Sequence, residues 1–283
     1  MASTSEVLPV AVFDSGVGGL TVLHECLVSL PNEDYLYLGD TARFPYGDRS
    51  PGQLLAFARE LAGILLDEGA KLIVVACNSA TAAALPALRE ELSGRVPVIG
   101  VVLPESRLAA AATRNGRVGL LATPATVASG AYERALAEAS GGRAELHAVA
   151  SAELAPMIQT GGEVDARTVE CVERACAPLQ DANVDTVILG CTHYPLVRPV
   201  LQRTLGRDVQ IVSSGQAIAA EVERELEGAG VSAPTDRRGD YRFLASGDPE
   251  TFRTLGTRFL QLPIASVRHV EVAPVRAAAG AAA

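Results

Sequence analysis

Short apolar runs alternate along this chain with longer segments that are predicted to be helical. The runs do not place a polar residue at every second position, which is typical of strands buried on both faces of a parallel sheet. The alternation predicts the α/β class, with parallel sheets covered by helices. The predicted strands are Pro9 to Phe13, Tyr35 to Leu38, Leu72 to Ala76, Val96 to Val102, Val118 to Ala122, Val187 to Gly190 and Val209 to Val212.

This pattern occurs twice. One unit begins with a strand that ends before Asp14, the other with a strand that ends before Thr123, and each continues to a strand followed by a cysteine, Cys77 or Cys191. Asp14 and Cys77 are 63 positions apart, and Thr123 and Cys191 are 68 positions apart. We therefore predict two similar, pseudo-symmetric domains with parallel-sheet cores that face each other. The predicted division is 1–103 with 216–262 for the first domain, 104–215 for the second, and 263–283 for a flexible tail.

Charge and composition limit the classes of function. The chain has 283 residues, of which 48% are hydrophobic, enough for a buried core. Its 24 basic and 33 acidic residues give a net charge of -9, so we expect no binding to nucleic acid or to an anionic membrane. The uncharged stretch Leu72 to Leu88 is short for a membrane span. Met1 to Leu8 lacks the pattern of a secretory signal, and we expect a cytoplasmic protein.

The five cysteines are an odd number without paired CxxC spacing. We therefore predict no structural metal site. We also predict no disulfides, because the expected compartment is reducing. Cys26, Cys171 and Cys176 lie in predicted helices, where the simplest interpretation is a small buried side chain. We assign no chemical role to these three.

Polar groups follow three of the predicted strands, in the segments Asp14 to Gly19, Cys77 to Thr81 and Gly190 to Pro195. Ligands of parallel sheets bind beyond the carboxyl ends of the strands, beside the N-termini of the next helices. Such an N-terminus stabilises a thiolate and a carboxylate alike, which predicts cysteines of lowered pKa and a site for a small acidic compound. The glycines from Gly16 to Gly19 form neither a complete GxGxxG nor a P-loop, so a tight turn is their simplest role.

Taken singly, Cys77 and Cys191 are explained equally well as small buried side chains and as functional thiols. Their equivalent places in two similar units indicate instead one site with a thiol on either wall. A redox pair is the competing interpretation, although such pairs usually occur as CxxC. Asp14, if buried at a strand end, needs a partner, and a nearby thiol is one such partner. His193 can take up or orient a thiol proton, with a structural histidine as the alternative.

Four motifs occur in a fixed order along nearly the whole chain. They are VFDSGVGGLTV at Val12 to Val22, DTARFPYG at Asp40 to Gly47, CNSAT at Cys77 to Thr81, and GCTHYP at Gly190 to Pro195. Together they resemble the motifs of bacterial glutamate racemases, in the aspartate/glutamate racemase family. The resemblance implies two similar α/β domains with the active site in the cleft between them, usually in a homodimer. It also implies cofactor-independent interconversion of L- and D-glutamate, which supplies D-glutamate for peptidoglycan.

The same resemblance implies a role for individual residues. Cys77 and Cys191 would be the two proton donors and acceptors, with Asp14 assisting the first and His193 the second. Cys77 would act on D-glutamate and Cys191 on L-glutamate. The implied substrate contacts are Asp14, Ser15, Tyr46, Gly47, Asn78, Ser79, Thr123, Thr126, Thr192 and His193.

Two positions depart from the family pattern. Ser79 stands where threonine is common, which keeps the hydroxyl group. Gln159 stands where glutamate is common, so this chain has no carboxylate at the place that would support His193.

Racemisation removes the α-proton on one face of the substrate and returns a proton on the other, which requires two acid/base groups. Pyridoxal phosphate has little support, because the single lysine, Lys71, lies at the start of a strand. A relative that acts on aspartate or another small acidic compound by the same two-thiol chemistry is the nearest alternative, since one methylene changes selectivity by only ~1–3 kcal/mol. A binding role is the second alternative, because some proteins that resemble glutamate racemases restrain DNA gyrase.

Overall fold

The computed structural model describes residues 8–160 and 164–275 and places ten strands in two parallel sheets. In chain order the strands are β1 (Val10–Asp14), β2 (Tyr35–Gly39), β3 (Leu72–Val75), β4 (Val98–Gly100), β5 (Arg117–Ala122), β6 (Glu145–Ala150), β7 (Thr186–Gly190), β8 (Gln210–Val212), β9 (Tyr241–Ala245) and β10 (Arg268–His269). The first sheet has the order β10-β9-β2-β1-β3-β4 and the second β6-β5-β7-β8. All the strand pairs are parallel, which confirms the α/β class with two parallel-sheet cores.

Eleven α-helices connect these strands within the described ranges. They are α1 (Leu20–Ser29), α2 (Pro51–Asp67), α3 (Asn78–Glu91), α4 (Val102–Ala112), α5 (Pro124–Ala128), α6 (Ala131–Ser140), α7 (Leu154–Thr160), α8 (Ala166–Asp181), α9 (Arg198–Leu205), α10 (Ser214–Ala229) and α11 (Pro249–Leu260). The sequence sets several of their starts. Ser50 caps α2 in a capping box with Gln53, followed by Pro51 at the first helical position. None of the described helices is long and apolar enough to cross a membrane.

The two sheets repeat one strand order. β2-β1-β3-β4 in the first sheet corresponds to β6-β5-β7-β8 in the second. In both, the connection after the first strand leads to one side and the next connection leads to the other, so the order reverses between the first and third strands. Such a reversal opens a crevice at the carboxyl ends of these strands. Cys77 follows β3 and Cys191 follows β7, so each thiol lies at the crevice of its own sheet.

A shared core joins the two halves. One cluster of buried side chains extends from Val12 and Tyr37 in the first sheet to Leu121 and Leu189 in the second. Separate clusters cover the opposite face of each sheet, with α2 and α3 on the first and α4 and α6 on the second. Burial on both faces is the reason that the strands predicted from the sequence are continuous apolar runs.

Each of the seven predicted strands overlaps an observed one, but the run Val96 to Val102 is shorter as a strand than expected. Its strand covers only Val98–Gly100, because Pro97 has no amide to donate and α4 already begins at Val102. The pattern missed β6, β9 and β10. β6 is an edge strand whose residues are intermediate or exposed, and β10 is two exposed residues long, so neither forms an apolar run.

The last described residues pack on the first sheet. β10 pairs with β9, and the amide of Ala273 donates to Glu60 Oε1 at 2.7 Å. Part of the predicted tail is therefore attached to the first half, through β9 at Arg268–His269 and through α2 at Ala273, which the sequence pattern did not indicate. The remainder of that prediction, 276–283, lies outside the described residues.

Three cysteines lie within helices and have buried side chains, as expected. Cys26 lies in α1, and Cys171 and Cys176 lie in α8, and all three are buried. The five cysteines are free thiols.

Candidate active site

Both thiols line one cleft between the two sheets, together with most of the polar residues named from the sequence. The cleft has a volume of about 430 Å³, open solvent included. Its walls combine loops at the carboxyl ends of strands from both halves, which is where the repeated strand order leads one to expect a ligand. The lining residues are Ser15, Phe44, Pro45, Tyr46, Gly47, Asp48, Cys77, Asn78, Ser79, Thr123, Pro124, Ala152, Ala155, Pro156, Gly190, Cys191, Thr192 and His193.

Cys77 is the residue that precedes the first turn of α3, and its side chain is 5% exposed. Burial, and to a smaller extent the charge of Asp14, raise the pKa of the Cys77 thiol to about 12. Hydrogen bonds involving the amide of Ala80 and both the side chain and amide of Ser15 act in the opposite direction. The expectation of a lowered thiol pKa is therefore wrong for this site, because desolvation outweighs the helix N-terminus.

Asp14 ends β1 and is fully buried. The amide of Gly16 donates to its Oδ2 at 3.1 Å, and the Thr192 hydroxyl donates to its Oδ1 at 3.2 Å. Burial raises the pKa of the Asp14 carboxyl from its usual 3.8 to about 6, and these donors limit the rise. At neutral pH Asp14 is a carboxylate, so it can accept a proton from a neighbouring group.

Cys191 is likewise buried, and burial raises the pKa of its thiol. The Nδ1 atom of His193 lies 3.8 Å from Cys191 Sγ, and Nε2 of the same ring lies 2.9 Å from Gln159 Oε1. Since Oε1 is an acceptor, Nε2 carries the hydrogen of the neutral ring and Nδ1 is left to accept a proton from the thiol. Burial, with a smaller contribution from Arg258, lowers the pKa of His193 to about 3, so the ring is neutral at physiological pH.

Aromatic rings hold His193 in place. Its ring centroid lies 5.4 Å from that of Phe44 and 5.2 Å from that of Phe259, the latter edge-on. These contacts and the bond to Gln159 fix the ring orientation, so that the same nitrogen faces Cys191.

The glycines after β1 allow a close approach between chain segments. A Cβ atom at Gly18 would lie 2.4 Å from both His193 Nδ1 and Thr192 Oγ1, and one at Gly19 would lie 2.6 Å from Asp14 Cβ. Gly19 has a φ of -62°, which any residue adopts. These glycines are therefore required by the packing of the loop against the two acid/base partners rather than by an unusual backbone conformation.

Three hydroxyl groups meet where α3 approaches α5. Ser79 Oγ lies 2.9 Å from Thr123 Oγ1 and 3.0 Å from Thr126 Oγ1, and the two threonine hydroxyls are 3.0 Å apart. Ser79 belongs to the first half and the threonines to the second, so the triangle joins the two walls of the cleft. The hydroxyl kept by Ser79 makes both contacts.

The loop after β2 forms the rim of the cleft. Tyr46 is 1% exposed, and its hydroxyl donates to the Asp40 carboxylate, which also receives Arg43 Nε at 2.6 Å. The carbonyl of Gly47 accepts from the amide of Ala125 at 2.8 Å, so the rim loop is attached to the second half. These bonds occupy the Tyr46 hydroxyl, and Tyr46 and Gly47 both line the cleft.

Of the ten substrate contacts named from the sequence, eight line the cleft, whereas Asp14 and Thr126 do not. Asp14 contacts the lining residue Thr192, and Thr126 contacts Ser79 and Thr123. Sequence reasoning missed two further residues. Phe44 lies within a quoted motif without an assigned role, and Glu105 is a fully buried carboxyl whose only signal was its position in the apolar run around Val102.

Lys71, the residue type that forms Schiff bases, does not line the cleft. Its Nζ is 2.6 Å from Glu33 Oε2 and donates to the carbonyl of Val231 at 2.8 Å, and its side chain is 4% exposed. Within 8–160 and 164–275, no group of three or more His, Cys, Asp or Glu residues is arranged to hold a metal ion.

Comparisons with known proteins agree with this geometry. Residues 23–222 match the Asp/Glu/Hydantoin racemase family. A glutamate racemase from Listeria monocytogenes is 40% identical over 93% of this chain and 98% of its own length. The crystal structure of glutamate racemase isoform RacE1 from Bacillus anthracis has a TM-score of 0.89 at 39% identity, covering 94% of this chain and 98% of that one. Glutamate racemase from Francisella tularensis, solved with D-glutamate, has a TM-score of 0.86 at 31% identity, with 94% and 98% covered.

The motif resemblance is thereby confirmed, as is the fold that it implied. The chain is an amino-acid racemase that belongs to the Asp/Glu/Hydantoin racemase family, among its glutamate racemases.

Proposed function

We propose that this racemase interconverts L- and D-glutamate by proton transfer at two thiols, those of Cys77 and Cys191, without a bound cofactor. The observation that carries the proposal is that two thiols from equivalent strand ends line one cleft, Cys191 with His193 Nδ1 at 3.8 Å and Cys77 in electrostatic interaction with the buried Asp14 carboxyl. The D-glutamate held by the Francisella tularensis relative supports a substrate of this class.

Neither proton acceptor forms a thiolate by itself, because burial raises the pKa of both thiols above the pKa values of Asp14 and His193. Asp14 is charged at neutral pH and raises the pKa of Cys77, while His193 presents an unprotonated Nδ1 to Cys191. A thiolate with a raised pKa is a strong base, which suits the removal of a weakly acidic α-proton. The substrate ammonium group brings a positive charge beside the thiols and favours their charged forms.

The reaction moves one proton in and one proton out. With D-glutamate, the Cys77 thiolate takes the α-proton and the electron pair of the C–H bond passes into the α-carboxylate. The thiol of Cys191 then donates its proton to the opposite face, giving L-glutamate, a Cys77 thiol and a Cys191 thiolate. His193 and Asp14 return the two thiols to their starting protonation states by exchange with solvent. For L-glutamate the two thiols exchange roles.

Polar groups of both walls bind the substrate in this proposal. Hydrogen-bond donors at the start of α3 and after β7 stabilise the charge that develops on the α-carboxylate. The contacts are those named from the sequence that line the cleft, with Asp14 and Thr126 acting through their neighbours. The list is Ser15, Tyr46, Gly47, Asn78, Ser79, Thr123, Thr192 and His193.

The chemistry uses only groups of this chain. A Schiff base with pyridoxal phosphate needs an accessible lysine, and Lys71 is buried in an ion pair with Glu33. Two catalytic thiols require a reducing compartment, which supports the cytoplasm as the location. We also propose the division of the chain into 1–103 with 216–262 and 104–215, a homodimer as the working form, and supply of D-glutamate for peptidoglycan as the purpose.

Circular dichroism of L-glutamate and, separately, L-aspartate incubated with the purified protein tests the proposal. We expect the glutamate signal to decay without added cofactor, and to persist with Cys77→Ala or Cys191→Ala. Cys176→Ala is the matched control, since Cys176 is buried in α8 and does not line the cleft. Decay of the aspartate signal alone would identify aspartate, rather than glutamate, as the substrate. Decay of the glutamate signal with either active-site variant would contradict the two-thiol mechanism.

A further inference from the structure

A fully buried carboxyl group lies beneath the cleft, outside the two acid/base pairs. Glu105, in the first turn of α4, receives the hydroxyl of Ser214 on Oε1 and the hydroxyl of Tyr132 on Oε2. The side-chain nitrogen of Asn78 also donates to Oε2 at 3.2 Å. Burial raises the pKa of Glu105 from its usual 4.5 to about 8. Burial of a carboxyl group is costly unless its oxygens are hydrogen-bonded, and both oxygens of Glu105 have donors here.

These contacts join the two halves at the point where the chain crosses between them. α4 leads from β4 to β5, so it passes from the first sheet to the second, and α10, which begins at Ser214, leads from β8 back to β9. Asn78 comes from α3 in the first half and Tyr132 from α6 in the second. A single carboxyl therefore connects both crossings with one wall of the cleft.

The network fixes the amide of Asn78 in one orientation. Its Nδ2 donates to Glu105 Oε2 and to the hydroxyl oxygen of Tyr132, the latter at 2.7 Å, which uses both of its hydrogens. Both partners accept from it, so a rotated amide would direct its oxygen at Glu105 Oε2. The amide oxygen of Asn78 is thus held away from Glu105.

That oxygen has no partner among the described residues, although Asn78 is 3% exposed and lines the cleft. A buried acceptor without a donor costs roughly 1–3 kcal/mol, so native proteins seldom leave one unless a ligand or water completes it. The substrate ammonium group is the donor that this cleft receives under the proposed function.

We propose that Glu105, with Tyr132, is a positioning residue that sets the Asn78 amide so that its Oδ1 accepts from the α-ammonium group of the substrate. The proposal rests on the proposed function, since it takes glutamate as the ligand. Glu105 acts through its accepting oxygen Oε2 and does not touch the substrate.

Two substitutions of Glu105 distinguish this positioning role from a purely structural one. In Glu105→Gln the new amide oxygen can accept from Tyr132 and Asn78 while its nitrogen donates to Ser214, whose hydroxyl accepts as well as donates. Glu105→Leu removes the acceptor while keeping an apolar side chain of similar size. We therefore expect Glu105→Gln to preserve the KM for D-glutamate within about twofold and Glu105→Leu to raise it by about tenfold, the effect of losing one charge-assisted bond.

KM and kcat for D-glutamate, measured by circular dichroism, test this with two further variants. Tyr132→Phe removes one of the two restraints on the amide, and we expect KM to rise about threefold with a smaller change in kcat. Ser106→Ala is the matched control, because this buried hydroxyl on the same helix donates to the carbonyl of Val102 and its loss leaves KM unchanged. Thermal unfolding of each variant establishes that it is folded.

A wild-type KM in Tyr132→Phe, or in a folded Glu105→Leu, would overturn the inference while wild-type racemisation persists. An equal rise of KM in Glu105→Gln and Glu105→Leu would also overturn it, since the accepting oxygen kept by Glu105→Gln would then have no effect on substrate binding. Absence of glutamate racemisation by the wild-type protein is a different result, which would remove the proposed function together with this one. If Glu105→Leu does not fold, Tyr132→Phe alone decides.

Discussion

The two halves of the active site place their thiols alike and support them differently. Cys77 and Cys191 both follow the third strand of a repeated order, and burial raises the pKa of both. The partner of Cys77, however, is a carboxylate from a different strand, 63 positions earlier in the chain. The partner of Cys191 is an imidazole only two residues later. The repeat therefore fixes where the thiols lie, whereas the proton acceptors are specific to each half.

Charge is the main difference between the acceptors. Asp14 is negative at neutral pH, and its charge makes a second negative charge on Cys77 more costly. His193 is neutral, because burial lowers its pKa to about 3, and it adds no charge at rest. The halves are also coupled, since Thr192 from the second donates to the carboxylate of Asp14 in the first. The base in the first half, Asp14, is therefore charged, and the base in the second half, His193, is neutral.

Replacing each proton acceptor by a neutral amide tests the difference between the two halves with the largest expected effect on kcat. We expect Asp14→Asn and His193→Asn each to lower kcat by ~10²–10⁴, the usual value of a general base. L- and D-glutamate have equal free energy in water, so kcat/KM must fall equally in both directions. The face that is impaired is revealed by substrates deuterated at the α-carbon.

In Asp14→Asn, removal of the α-proton of D-glutamate by Cys77 becomes slower. The deuterium isotope effect should therefore be larger with D-glutamate than with L-glutamate. His193→Asn should reverse this order. Equal isotope effects in the two directions for both variants would contradict the assignment of one acceptor to each thiol.

The pH dependence of kcat/KM sharpens the comparison, because only one of the acceptors titrates near neutrality. Asp14 must be a carboxylate to accept a proton, and its pKa is about 6, so activity should be retained above pH 6 and fall about tenfold per pH unit below it. His193, with a pKa of about 3, stays neutral across this range. A pH series with the wild type and Asp14→Asn checks the origin of the acidic limb. Its persistence in the variant would assign the limb to another group.

The stability of Asp14→Asn sharpens the comparison through the cost of the buried charge. A rise of the Asp14 pKa from 3.8 to about 6 corresponds to about 3 kcal/mol of destabilisation by the charged form. Below pH 3.8 the group is protonated in the folded and unfolded states, and the cost is absent. It develops between pH 3.8 and about 6 and is complete above pH 6.

After allowance for the hydrogen bonds that the variant weakens, Asp14→Asn should raise the free energy of unfolding by about 1–3 kcal/mol at pH 7.5, and by less at pH 4.5. Urea unfolding at both pH values measures this. An equal change at both would mean that burial of the charge is not its cause. A gain in stability with a loss of activity would identify Asp14 as a group kept for function.

Much of this architecture could be predicted from the sequence, because burial on both faces leaves a direct trace in composition. Seven of the strands are apolar runs, and the thiols lie directly after two of them. β6 and β10 left no such trace, as exposed edge strands do not need apolar residues on both faces. The direction of the thiol pKa was also beyond the sequence, since it depends on how completely three-dimensional packing excludes water.

Contacts between distant segments were the least predictable part of the site. Gln159 was noted as a departure from a family pattern, yet its bond to His193 Nε2 depends on how α7 packs against the turn after β7. Glu105 is a single acidic residue in an apolar segment, and its partners come from three other helices. Neither spacing nor composition specifies such partners.

Exchange of the substrate α-proton with deuterium from solvent, followed by proton NMR, tests the two-thiol mechanism most directly. The wild-type protein in D₂O should deuterate and racemise both enantiomers of glutamate. Cys191→Ala should exchange the α-proton of D-glutamate alone, Cys77→Ala that of L-glutamate alone, and neither should racemise. Racemisation by either variant, or exchange of both enantiomers by a variant with one thiol, would contradict the assignment of one thiol to each face of the substrate.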